Sequence, residues 1–277
     1  MLDQAERLRS LMRAESRPAA PGAARPQLVV VAGGKGGVGT TTLAVNLAVA
    51  LNRGGHRTVL VDGDLGKADA ASLCGTREVY HIADVLAGRR GLHEALQLGP
   101  AGVQVLPGAW ATGHVTDCAP EAQDRLLREL ARLESHADQV VLDAGNGEGR
   151  VVQRFCQAAD RVLLVTSTDD ASVMNAYAAI KLLRAVDAQP AIQLVVNLAH
   201  DAAEAKQIHD RLAHACRRFL GFELPLAGSL SHAAEVVEAG RRRHPFVLAN
   251  PLATSSAQIE QLAAILSTHP GEIHELD

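Results

Sequence analysis

A chain of 277 residues, 47% apolar and 21% charged, suits one large domain or two small ones around an ordinary buried core. A net charge of −4 and an aromatic content of 3% argue against wholesale binding of nucleic acid or anionic membranes, and against stacking of many exposed bases. Cys74, Cys118, Cys156 and Cys216 form no C-x-x-C pair, which argues against a zinc ribbon, a redox dithiol or a disulfide scaffold; with no membrane-length apolar run and no signal-peptide core, a cytoplasmic protein is expected.

The first fifteen residues carry Leu2, Ala5, Leu8, Leu11 and Met12, a spacing that predicts a short helix with one narrow apolar stripe. Residues 16–26 follow with Pro18, Pro21, Gly22 and Pro26, the composition of an extended linker. The helix is therefore expected to be tethered to a domain spanning 27–268, with an acidic tail at 269–277. Within the domain, buried-strand runs alternate with helical patterns. Strands are predicted at "LVVVA" (28–32), "RTVLVD" (57–62), around Val103 to Leu106, at "QVVLD" ending on Asp143, at "RVLLVTS" (161–167) and at "AIQLVVN" (191–197). Helices are expected from the glycine-rich loop through Leu51, over 118–137 with Leu126, Leu127, Leu130 and Leu133 inward, and at roughly 170–186 and 202–218. Continuous Val/Leu strands between helices predict one doubly wound α/β domain, a mostly parallel sheet covered on both faces.

Ligands of such sheets bind at the carboxyl ends of the strands. Three segments fall there. "GGKGGVGTTT" follows the first strand and opens a helix, so its glycines can aim backbone N–H groups at phosphate oxygens beside the helix dipole. Gly34, four residues and Gly39 match the phosphate-loop pattern, and Thr41 stands where a hydroxyl normally ligates Mg²⁺. Thr40, however, occupies the place of the loop's lysine. In "VDGDLGKAD", Asp62 and Asp64 alternate; one suits a metal shell and the other the orientation of water. In "VVLDAGNGEG", Asp143 ends a strand where a carboxylate usually holds magnesium through water, while Gly145 and Gly147 allow the backbone to move with a γ-phosphate.

Lys35 inside "KGGVG", together with "DGDLG" and "LDAGNG", resembles the deviant-Walker ATPases of the MinD and ParA group. "DQAERLR", Asp3 to Arg9, is similar to the DQAxxLR helix of its FlhG (YlxH) branch, and the pattern of residues 219–263 is similar as well, so the likeness covers nearly the whole chain. The resemblance implies an ATP-dependent, dimerising switch that controls flagellar number and placement, with ATP (or ADP) and Mg²⁺ as ligands. It implies that Lys35 acts across a homodimer on the partner subunit's phosphates. The cradle would run over Gly34, Lys35, Gly36, Gly37, Val38, Gly39, Thr40, Thr41 and Thr42, joined by Gly147. Thr41, Asp62 and Asp143 would serve the metal, Asp64 would position the attacking water, and Asn197 would read the adenine. The N-terminal helix would stimulate an FlhF-type signal-recognition GTPase through Gln4, with Asp3, Leu8 and Arg9 fixing it there. Flagellar C-ring proteins are a further implied partner, reached by recruitment to the cell pole or membrane.

Some residues depart from that pattern. Threonine at 40 removes a fixed cation, so any ATP hydrolysis is expected to be weak. Asp69 replaces the usual asparagine, Lys67 adds a charge, and Ser229 and Ser231 stand where relatives carry Pro and an acidic residue. The tail "STHPGEIHELD" is acidic and broken by Pro270 and Gly271, unlike a basic amphipathic membrane anchor. A second expectation is therefore a non-hydrolysing MinD-like scaffold for pilus assembly or polar positioning; a third, weaker one is a DNA-partitioning ATPase. Arg241 to Arg243 read as a solvated helix end, His209 and His214 are misplaced for zinc, and Trp110 is expected to pack.

Overall fold

The structure, a computed structural model, describes residues 25–267 apart from 65, 77–78, 109–118, 134–135, 147–148 and 186–189. The expected helix at 1–15 with Asp3, Gln4, Leu8 and Arg9, the linker up to 24, Trp110, Cys118, Gly147 and the tail at 269–277 lie outside the described residues.

Apolar runs long enough for a strand yet unbroken by polar residues must be buried on both faces, and one sheet provides that here. Its strands are β1 (Gln27–Gly33), β2 (Thr58–Asp62), β3 (Gln97–Leu98), β4 (Gln104–Leu106), β5 (Gln139–Asn146), β6 (Arg161–Thr166), β7 (Ala191–Ala199) and β8 (Leu226–Ser231). They lie in the order β3-β4-β2-β5-β1-β6-β7-β8, all parallel except β3 against β4. β1 sits in the middle, with Val29, Val30 and Val31 wholly buried.

Parallel neighbours need crossover helices, and these fill both faces. One face carries α1 (Thr40–Arg53), α2 (Ala70–Leu73), α9 (Ala234–Arg241), α10 (Phe246–Ala249) and α11 (Thr254–Ser267); Leu43, Leu47, Phe246, Ile259 and Leu262 pack there on Val29, Val31, Leu60 and Val141. The other carries α3 (Ile82–Leu86), α4 (Leu92–Ala95), α5 (Pro120–Ala131), α6 (Arg150–Ala158), α7 (Asp170–Arg184) and α8 (Ala202–Leu220), with Phe155, Ile180 and Leu212 on Val30, Leu142 and Leu164. Each fully buried Leu, Val or Phe contributes about 1.5–3 kcal/mol. Asn46, buried midway along α1, ties α10 down by accepting from the N–H of Val247 at 3.1 Å.

The doubly wound reading holds, with local corrections. The helix expected over 118–137 is α5, ending at Ala131; Leu133 is buried beyond its end and Leu127 only half-buried. α1 continues past Leu51 to Arg53, closing where Gly54 and Gly55 form the turn, and β7 runs two residues beyond Asn197. β5 likewise runs past Asp143 to Asn146. β3 and β8 had no clear sequence signature.

Candidate nucleotide site

Because β1, β2, β5, β6, β7 and β8 are parallel, their carboxyl ends share one edge of the sheet, and the sequence-predicted loops meet there. Residues 34–39 leave β1 and turn into α1. Gly37 and Gly39 have φ of 84° and 90°, conformations that favour glycine. Gly34 lies so close to α7 that a Cβ would come within 2.5 Å of the Asn175 carbonyl carbon. The loop therefore ends on the open first turn of a 14-residue helix, with no acidic residue in that turn to compete for an anion.

Beneath it lie two carboxylates. Asp62 ends β2, Asp143 is its in-register partner on β5, and both are fully buried. Their odd-even phase matches Leu60 and Val141, so both face the α1 side of the sheet. Asp62 Oδ2 accepts from the N–H of Ala70 at 3.0 Å and Asp143 Oδ1 from the N–H of Gly145 at 3.0 Å. Asp62 Oδ1 and Asp143 Oδ2 have no hydrogen-bond partner among the described residues. Burial, followed by repulsion from Asp143, holds the Asp62 carboxyl well above the usual range. Burial pushes Asp143 up to about 6, against the pull of the Thr41 hydroxyl and the Gly145 amide. Two buried carboxylates with oxygens to spare beside a hydroxyl are a hard donor set that fits a small divalent cation.

Asp64 lies above them. Its Oδ1 accepts from the N–H groups of Gly66 and Lys67, both at 3.0 Å, and a Cβ on Gly145 would fall 2.3 Å from its Oδ2. Gly145 has a φ of 68°, so this close approach and the backbone both call for glycine. Asp62 and Asp64, two apart, would share a face had the strand continued; they separate because β2 ends at Asp62, which leaves one buried in the sheet edge and the other turned toward the β5 loop.

Lys35 donates to Asp169 Oδ1 at 3.0 Å. Asp169 caps α7, accepting from the Ser172 N–H at 3.0 Å, and the Ser172, Ser167 and Lys35 side chains hold its carboxyl below the usual range. Asp169 was not singled out from sequence; "DDASV" opening a helix is the capping signature that could have found it. Asn197 donates from Nδ2 to the Val38 carbonyl at 2.7 Å and accepts the Leu198 N–H on Oδ1 at 2.9 Å. It also lines a cavity of about 250 Å³ running from Gly37, Gly39 and Thr42 to Leu230, Val236, Val237 and Phe246. Ser231 borders that cavity and Ser229 does not. The hydrophobic far wall, from β8, α9 and α10, had no sequence motif.

Among the smaller signals, Arg242 pairs with Glu238 at 2.9 Å on the exposed end of α9, and the His209 ring is 2.8 Å from the Leu224 carbonyl. Cys156 is buried in the core. No helix among the described residues is long and apolar enough to cross a membrane.

Residues 29–246 match the CobQ/CobB/MinD/ParA nucleotide binding domain. The chain is 33% identical to the antiactivator FleN of Pseudomonas aeruginosa over 88% of its own length and 87% of FleN's. It is 27% identical to the flagellum site-determining protein YlxH of Helicobacter pylori, over 96% and 90% of the two chains. Among solved structures it resembles the septum site-determining protein MinD of Pyrococcus horikoshii, complexed with Mg-ADP, with a TM-score of 0.75 at 23% identity, covering 88% and 96% of the chains.

Proposed function

The chain belongs to the MinD/ParA nucleotide-binding family and, within it, to the FlhG/YlxH type, and from that premise we propose that it is an ATP-dependent regulator of flagellar number and placement. The observation that carries the reading is the pair of buried carboxylates, Asp62 and Asp143, with free oxygens beside Thr41 under the glycine-rich turn. Backbone amides of residues 34–42 would hold the phosphates, and the cavity beside Asn197 the base. Asn197 keeps one amide N–H and one oxygen lone pair for a base while bracing Val38. Thr41, Asp62 and Asp143 would hold a magnesium ion, which would supply positive charge against the phosphates. Asp64, held by two backbone amides at the Gly145 turn, is placed to orient a water molecule. Lys35, exposed and only locally paired, can exchange Asp169 for phosphates across a homodimer.

We assign residues 1–15 as a partner-activating helix on a linker at 16–26, acting on an FlhF-type GTPase, with 27–268 as the nucleotide domain and 269–277 as an acidic tail. Localisation would be cytoplasmic, with the cell pole or membrane and flagellar C-ring proteins reached through partners. Titration calorimetry with Mg-ATP and Mg-ADP should show uptake by the full chain, and light scattering should show dimers with ATP. A peptide of residues 1–15 should raise GTP turnover by the partner, and Gln4→Ala should remove the effect; an inert peptide would overturn the partner assignment.

Thr40, buried and uncharged at the lysine position, favours one second reading: a MinD-like scaffold that does not hydrolyse ATP and serves pilus assembly or polar positioning. That reading requires a dimer indifferent to nucleotide and no phosphate release.

A further inference from the structure

A triphosphate in this loop meets no cation from position 40, since Thr40 is buried and neutral. The nearer of the two loop-edge lysines in sequence, Lys35, is turned to the α7 side, on Asp169. The other approaches from the opposite flank. The backbone N–H of Lys67 donates to Asp64 Oδ1 at 3.0 Å. Asp64 in turn lies against Gly145, whose N–H is bonded to Asp143 at 3.0 Å, and Asp143 faces the Thr41 hydroxyl. Two carboxylates therefore link the start of the Lys67 side chain to the residue next to Thr40.

The ammonium of Lys67 rests on Asp69 Oδ2 at 3.2 Å, with the lysine side chain 74% exposed. Asp69 directly precedes Ala70, whose N–H donates to Asp62 at 3.0 Å, and its charge reaches Asp143. The ammonium is thus parked at the rim of the carboxylate pair on a flexible stem, in an exposed ion pair that solvent screens. Leaving Asp69 for a group with several negative charges costs little.

We propose that Lys67 supplies within the same chain the phosphate-facing cation that Thr40 lacks, its ammonium moving from Asp69 to the terminal phosphate of a bound nucleoside triphosphate. This rests on the nucleotide-binding reading above. A diphosphate, lacking that phosphate, would leave Lys67 on Asp69.

The test is calorimetry on the full chain with magnesium, comparing ADP with the non-hydrolysable β,γ-imido analogue of ATP. Lys67→Ala should weaken the triphosphate analogue about 10-fold or more, as expected for one lost charge-assisted hydrogen bond, and leave ADP within about twofold. Lys67→Arg should keep most of the preference. Thr40→Lys should restore it in the Lys67→Ala background, because the charge returns from the other side. If wild type binds both nucleotides and Lys67→Ala leaves their ratio unchanged, the inference fails alone. If wild type takes up neither, the nucleotide reading falls and the inference with it.

Discussion

Two carboxylates buried side by side repel each other until a cation or a proton intervenes. For Asp143 the folded value of about 6 exceeds the ordinary 3.8, so the native state holds the proton more tightly than the unfolded chain. Stability from this source is present at acid pH and lost as pH rises from 3.8 through about 6. Asp62, shifted the same way, adds to that loss as pH rises. Asp143→Asn should therefore raise Tm at pH 7 without divalent cations, by an amount corresponding to on the order of 3 kcal/mol. Mg-ATP is expected to raise the Tm of the wild type under the proposed function, and the same variant should lose that gain. Scanning calorimetry with and without Mg-ATP checks both signs. Gly145→Ala should act oppositely, because a methyl 2.3 Å from Asp64 Oδ2 must displace that carboxylate from a turn already at a φ of 68°. A loss of stability on the order of 1–3 kcal/mol, read as a lower Tm, is expected in the presence or absence of magnesium.

At the level of elements, α7 starts on Asp169, which also receives Lys35 from a residue 134 positions away. Asp169→Asn retains an oxygen for the Ser172 N–H and removes the charge that holds Lys35; Asp169→Ala removes both. Thermal melts should rank wild type and Asp169→Asn above Asp169→Ala. Nothing in a linear pattern announces that Lys35 and Asp169 meet, since ion pairs of distant residues follow from strand order, which sequence periodicity leaves open. Strand identity was far more legible. β1, β2, β5, β6 and β7 are buried on both faces and so read as continuous Val/Leu runs, placed within about a few residues of their ends. β8, "LAGSLS", is an edge strand weakened by Gly228 and polar serines, and β3 has two residues, too few for any period. The buried carboxylate pair was legible because strand ends mark the ligand edge of such sheets; the apolar wall of the cavity beside Asn197 was not, because Leu230, Val236 and Phe246 look like any core residues.

Over the whole molecule, the two ends of β1 divide the labour. Its carboxyl end opens into the phosphate loop, whereas its amino end is anchored by Arg25, which grips Asp160 through two contacts of 2.5 and 3.2 Å. Asp160 also accepts from the N–H of Leu28 at 2.8 Å, so the start of the sheet is fixed before the domain's first strand is complete. Removing residues 1–24 spares that anchor. The shortened protein should bind Mg-ATP and Mg-ADP with affinities within about twofold of the full chain, and should no longer raise GTP turnover by the partner. Calorimetry and a GTPase assay on the same preparation separate the two effects.

The grip of Arg25 on Asp160 has one more consequence. With seven residues of β1 between anchor and loop, at roughly 3.3 Å each, the leader departs about 20 Å from the phosphates, at the opposite pole of the sheet. Under the proposed function, a partner held ahead of Gln27 and a second copy at the nucleotide pole would not compete for room, so one molecule could bridge both. A dye or affinity handle placed ahead of Gln27 would ride on the quiet pole and report on the other without blocking it.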